Sequence, residues 1–261
     1  WSILADVLMR DKRLAEVATS VLPAMQAAAG ENGHELIDML EGLLALSQTP
    51  PRPADARTFF LRALARRPKL KEAQDYLLKA DLRLGNIAAV EDDVGVVLRS
   101  DPSHCEANAL LGSIRLSQKR YADATKALRK SIATLPTAEA LNDLSEALRI
   151  DQQFDEAEKA ARHALRIAPN FYQAWDTLGC ILTDQNRLKE ADASFRCSLA
   201  LCPKAPRVLL HLARLNVRLE KKGEAMQIMK EISPLVKNAD EAFSQDYVVL
   251  SKELGSDSTV P

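Results

Sequence analysis

The chain has 261 residues, 47% of them hydrophobic, with only 9 glycines and 5% aromatics; with Ala and Leu abundant, this composition favours helices over a sandwich or barrel. A net charge of −1 and a pI near 6.5 leave no chain-wide basic field to attract nucleic acid or acidic lipid. No apolar run approaches the roughly 18 residues that a membrane span requires.

The chain opens Trp1-Ser2-Ile3, without Met, a basic n-region or a cleavage signal, which reads as an excised segment or a processed product. That leaves the compartment open, although reduced thiols would suit the cytoplasm. The four cysteines, Cys105, Cys180, Cys197 and Cys202, show no C-x-x-C spacing and read as small apolar fillers of helices rather than as a metal or redox site.

In chain order, Trp1, Leu4, Ala5 and Leu8 fall on one helical face, followed by Val17, Val21 and Ala24 on a second helix that Pro23 should interrupt or kink. Gly30-Glu31-Asn32-Gly33 is a loop. A first-helix face then comes from Leu40, Leu43 and Leu44, and a second from Ala56, Phe60 and Ala63, ending at Pro68. Between them Pro50-Pro51-Arg52-Pro53 reads as a rigid turn.

From Pro68 the prolines mark a ruler. Pro68 to Pro102, Pro102 to Pro136 and Pro169 to Pro203 are each 34 residues, and Pro136 to Pro169 is 33. Within it lie Leu77 and Leu78 with Val90, Val94 and Val97, whose valines predict looser or offset packing. Next come Leu111 and Gly112 with Ala124, Leu128 and Ser131, then Leu144 and Ser145 with Ala157, Ala161 and Ala164. The sharpest copy is Trp175, Leu178, Gly179 and Leu182, then Ala191, Phe195, Ser198 and Pro203, with Asp184-Gln185-Asn186-Arg187 as the polar break. Leu209, Leu212, Ala213, Ala225, Met229 and Ile232 continue the register. Pro234 arrives three residues early, and Ala242, Phe243, Val249 and Leu250 predict a last amphipathic helix.

The order Trp, Leu-Gly, Leu, Ala, Phe, Ser, Pro in that copy, recurring at this period, resembles the tetratricopeptide repeat. The resemblance runs through nearly the whole chain, most strongly from Cys105 to Ala205. It implies an all-α, right-handed superhelical solenoid of about seven helix-turn-helix hairpins, forming a single array over residues 1–254. The repeats fall at 1–33 (partial), 37–70, 71–104, 105–137, 138–171, 172–205 and 206–238, with a capping helix at 239–254 and a polar tail at 255–261. It also implies a concave groove lined by the first helices, which in such families holds a peptide or a partner's helix.

Residues of the first helices that lie off the packing face would line that groove: Asp38, Glu41, Glu72, Asp75, Lys79, Glu106, Ala109 and Ser113, then Glu139, Asn142, Glu146, Arg149, Gln173, Asp176, Cys180, Arg207, Leu210 and Arg214. Eight are acidic and four basic, the basic ones gathering towards the C-terminal end. The partner expected is therefore a protein or peptide segment rich in Lys or Arg. The competing account is that acids collect in the first turn of any helix, where N–H groups are unpaired.

Members that grip a carboxyl terminus do so with Lys and Asn side chains. The matching positions here are Asn142 and Glu146, Thr177, and Arg207 and His211, and Glu146 would repel a carboxylate. Catalysis finds little footing. His34, His104, His163 and His211 lie in different repeats without metal-ligand spacing, and His104-Cys105 reads as a helix start. No cofactor is expected. Lys119, Arg120, Lys126, Arg129 and Lys130 read as a solvated face. The leading expectation is a protein-interaction scaffold. Its competitors are the recognition arm of a larger glycosyltransferase, sulfotransferase or protease, and a part of an envelope export system. Self-association through Trp1, Leu4 and Leu8 is a further expectation.

Overall fold

The structure, a computed structural model, describes residues 17–28, 34–85, 87–236 and 241–255. Trp1, Leu4, Ala5 and Leu8, and with them the self-association reading, lie outside the described residues, as does the tail from 256. Among the described residues there are fourteen α-helices and no strand, and no helix is long and apolar enough to cross a membrane. In order they are α1 (Leu22–Ala28), α2 (His34–Ser47), α3 (Pro53–Arg66), α4 (Lys71–Leu84), α5 (Ile87–Ser100), α6 (Cys105–Ser117) and α7 (Tyr121–Thr134). They continue with α8 (Ala138–Ile150), α9 (Phe154–Ile167), α10 (Tyr172–Asp184), α11 (Leu188–Leu201), α12 (Pro206–Arg218), α13 (Lys222–Val236) and α14 (Glu241–Glu253). Two compact units are distinguished, one up to Ile114 and one from Arg115.

Local sequence explains the helices. In α9, Ala157, Ala160, Ala161, Ala164 and Leu165 recur at helical spacing and are all buried, while Asp155 and Glu156 meet the N-terminal dipole and Arg166 the C-terminal one. Thr137 caps α8 by accepting a hydrogen bond from the Ala140 N–H at 3.2 Å. Four turns between paired helices close on a residue in the left-handed region, Lys119, Gln152, Asn186 or Glu220, with φ between 59° and 61°. At each, the following N–H reaches back five residues, as Arg187 does to Leu182 O at 2.8 Å, which satisfies carbonyls the helix leaves open.

The second helices end just before the ruler prolines, and those prolines have a further use. The carbonyl of Pro68 accepts from Gln74 Nε2 at 2.7 Å, that of Pro102 from Asn108 Nδ2 at 3.1 Å, and that of Pro169 from Trp175 Nε1 at 2.9 Å. The tryptophan position of the repeat thus supplies an N–H donor six residues downstream, whether from an indole or an amide.

In the first unit, Val17, Val21, Met25, Ile37 and Leu40 form one cluster and Ala45, Ala56, Phe60, Ala63, Leu64, Ala73, Leu77 and Ala80 another. Met25, not Ala24, completes the face with Val17 and Val21. Pro23 does not stop the helix but marks a change in it: a π-helical turn over Val17–Val21 passes directly into α1, whose second residue is Pro23.

The first-helix register of α2 differs from the sequence expectation by two residues. Gly42 lies against Phe60 just as Gly179 lies against Phe195: a Cβ at either glycine would stand 2.5 Å from the ring Cε1. Leu43 and Leu44 are only half-buried, whereas Asp38, expected in the groove, is buried. The reason is the connecting segment. Residues 48–52 separate α2 from α3, against 185–187 between α10 and α11, so two extra residues displace the frame.

The third repeat solves the same contact differently. Leu78 occupies the glycine position and Val94 the phenylalanine position, and both are fully buried in one cluster. In the second unit, Leu210, Ala213, Met229, Ile232, Val236, Phe243 and Leu250 form a cluster under α14. Leu210, expected in the groove, is therefore a core residue. Ala242 and Val249, expected on the capping face, point outward, Val249 being 60% exposed; Phe243 and Leu250, seven residues apart, are the ones that share a face. Pro234 sits inside α13, which runs two residues past it.

Candidate functional site

In the second unit the first helices α8, α10 and α12, with α14, are joined by side chains about one repeat apart. Arg149 donates to Asp184 at 2.7 Å, Arg218 to Thr183 O at 2.7 Å and to Asn186 Oδ1 at 3.1 Å, and Arg214 to Asp246 at 3.2 Å. Burial works against the charge on Arg149, but Cys180, Asp184 and Glu146 outweigh it and raise the guanidinium pKa.

At the centre of this row, His211 of α12 meets two side chains of α10. Its Nδ1 lies 2.9 Å from Asp176 Oδ1 and 3.4 Å from Cys180 Sγ. One ligand atom from each of Asp176, Cys180 and His211 lies within 4.8 Å of the other two. Asp176 and Cys180 are four residues apart, so one helical turn brings both to the same face. The His211 ring leans on Phe195, with centroids 6.0 Å apart. Burial would lower the imidazole pKa, but Cys180 and Asp176 reverse this and hold it well above the ordinary histidine range.

The remaining groove candidates of this unit fall into two groups. Asn142 is buried, its Oδ1 without a hydrogen-bond partner, and so is removed from any groove surface. Glu139, Glu146, Gln173 and Arg207 are exposed.

In the first unit, Asp75, Glu106 and Lys79 come together around α4 and the start of α6. His104 is buried and accepts from the Ala107 N–H through Nδ1 at 3.3 Å, a helix-start role. Its Nε2 then carries the proton and faces Asp75 Oδ1 at 3.2 Å. Burial acts to raise the Asp75 pKa, but His104 outweighs it and the net shift is downward. Glu106 is pushed up, by burial first and by the neighbouring Asp75 second. Lys79 is exposed, its ammonium 4.9 Å from the Tyr76 ring centroid.

Beside this cluster is a buried charge group that no sequence pattern indicated. Arg57 of α3 donates through Nε to Asp81 of α4 at 3.0 Å and to Asp93 of α5 at 2.8 Å. Asp81 is fully enclosed and its carboxyl is pushed up to about 7, by burial first and then by Asp93. On the outer face, Arg120 pairs with Asp123 and Arg129 with Glu156, so the basic strip is partly neutralised.

The sequence did not bring Cys180 and His211 together because they are 31 residues apart. The available signal was the period itself: one repeat on from a first-helix position is the neighbouring first helix.

Residues 110–170 match one model of the tetratricopeptide repeat and residues 172–204 match another. No curated protein matches the chain in sequence. Among solved structures, the type IV pilus biogenesis factor PilW is similar at a TM-score of 0.64 and 18% identity, over 82% of this chain and 98% of that one. PilF of Pseudomonas aeruginosa is similar at 0.64 and 17% identity, over 84% and 97%. YrrB, described as a repeat protein with an unusual peptide-binding site, is similar at 0.56 and 14% identity, over 74% and 97%. At these identities the likeness concerns the fold.

Proposed function

We propose that this chain, which carries tetratricopeptide repeats, is a protein-interaction scaffold whose first-helix faces hold an extended partner segment rich in Lys or Arg. The observation that carries the reading is how the charges on the second unit are used. Arg149 and Arg214 are turned onto Asp184 and Asp246, and Arg218 onto a backbone carbonyl, while Glu139 and Glu146 stand exposed on α8. Arg149 and Arg214 are offset by carboxylates of the protein itself, which leaves Glu139 and Glu146 as exposed acids on α8 for a partner. Glu106 beside Asp75 adds a second acidic pair, and burial first, then Asp75, raises its pKa. The reading assigns no catalytic step to the chain.

Fluorescence anisotropy with a labelled peptide of alternating Lys and Ala, against one of alternating Glu and Ala, tests it on the full chain. The Lys peptide should bind and the Glu peptide should not. Glu139→Lys with Glu146→Lys should weaken binding roughly tenfold, a loss of about 1.4 kcal/mol, and added salt should weaken it further. Equal affinity for the two peptides, or binding unchanged in the double variant, overturns the reading.

A further inference from the structure

We propose that Asp176, Cys180 and His211 form a zinc site with three protein ligands and an open fourth position. The proposal stands independently of the basic-segment reading, since it rests on different side chains and a different chemistry.

Three observations converge. The first is the donor set. A thiolate, an imidazole and a carboxylate are the three side-chain types that bind Zn²⁺, and the sulfur and nitrogen argue against Ca²⁺ and Mg²⁺, which take oxygen. The second is distance. Zinc bonds of about 2.0–2.3 Å at tetrahedral angles place ligand atoms roughly 3.3–3.6 Å apart. The observed 2.9 Å from His211 Nδ1 to Asp176 Oδ1 and 3.4 Å to Cys180 Sγ require only a few tenths of an ångström of expansion. The third is the direction of the contacts. Asp176 and Cys180 both aim at one nitrogen, Nδ1, and a single proton there cannot make two good hydrogen bonds. An ion between the three atoms satisfies all of them at once.

The support for the site is rigid. Asp176 and Cys180 project from consecutive turns of α10, which is pinned to α11 by the Gly179–Phe195 contact, and the same Phe195 ring backs His211. A thiolate and a carboxylate balance the two charges of the ion, and Arg149 nearby is already paired with Asp184. Three ligands leave one tetrahedral position for water or a side chain of a bound protein.

The test uses the full chain, reduced and stripped of metal, with Co²⁺ as the spectroscopic probe and Zn²⁺ as competitor. One equivalent of Co²⁺ should give a thiolate-to-cobalt charge-transfer band and the intense visible bands of a tetrahedral ion, and Zn²⁺ should abolish both. Cys180→Ser should remove the charge-transfer band, and Asp176→Asn and His211→Gln should each weaken Co²⁺ binding at least roughly tenfold. Cys197→Ser, at an exposed position, should change nothing. Circular dichroism checks the fold of each variant. A second measurement needs no variant: Zn²⁺ should protect Cys180 of the wild-type chain from alkylation, read by peptide mass spectrometry, while Cys197 stays reactive. The absence of a charge-transfer band, a band that persists in folded Cys180→Ser, undiminished binding in folded His211→Gln, or Cys180 alkylated equally with and without Zn²⁺ would each overturn the proposal.

Discussion

Trp175 donates its indole N–H to the carbonyl of Pro169, 2.9 Å away across the junction between two repeats. Gln74 and Asn108 make the equivalent bond to Pro68 and Pro102, so an indole and two carboxamides perform one task. The proline ends one helix, and its carbonyl fastens the next repeat's first helix to that end.

Replacing Trp175 with Phe keeps an aromatic body and removes the donor. The expected loss is about 1 kcal/mol, the net worth of one such bond, read as a lowered midpoint in chemical unfolding of the full chain. A midpoint matching wild type would mean that only the ring's packing matters there.

Gly179→Ala opposes two effects. Alanine favours a helix over glycine by about 1 kcal/mol, but its Cβ would stand 2.5 Å from Phe195 Cε1. That ring is buried among neighbours and cannot retreat, so overpacking by about 1–3 kcal/mol wins and the variant is less stable. Adding Phe195→Leu should recover most of the loss. If Gly179→Ala is more stable than wild type, the contact is softer than the geometry states.

Asp81 gives a pH dependence with a definite sign. Its folded pKa of about 7 lies above the unfolded value of about 3.9. The unfolded chain therefore sheds this proton first. The stability attached to the group is fully present below pH about 4 and is lost as the pH rises through about 7. Asp81→Asn cannot ionise, and Asp93 remains to pair with Arg57 at 2.6 Å. The variant should be more stable than wild type at pH 8 by about 1–3 kcal/mol, with the gap shrinking towards pH 4. Urea unfolding at the two pH values measures it, and a gap independent of pH would refute the assignment.

Much of this architecture was legible as a period. The ruler of prolines and the pairs Gly179–Phe195 and Ala157–Ala161 located helices and packing faces because each repeat meets the same steric problem. The departures have local causes that a periodic reading averages away. Two extra residues before α3 shifted the frame of α2, so Asp38 is buried and Gly42 takes the contact with Phe60, while Leu43 and Leu44 are half-buried against the core clusters. Burial of Leu210 depends on the neighbouring helices α13 and α14 rather than on spacing within its own helix. The valines of α5 go with an α4–α5 contact sparser than those of α2–α3, α8–α9 and α10–α11, although Leu78 and Val94 are both buried. The meeting of Asp176, Cys180 and His211 was hidden for the opposite reason: each residue alone has an ordinary explanation, and only their adjacency across repeats is unusual.

The reciprocal pairs Gly42–Phe60, Leu78–Val94 and Gly179–Phe195 also bear on how such a protein can be rebuilt. Each first helix is cut to its own second helix. Grafting α5 behind α10 would set valine against glycine and leave an unfilled hole. Grafting α11 behind α4 would drive a phenyl ring into a leucine. Recombination that cuts at the outer junctions and moves a helical pair as one cassette keeps the fit, whereas a crossover inside the interhelix turn destroys it. The unit that can be inherited, duplicated or transplanted intact is therefore the hairpin, never the single helix.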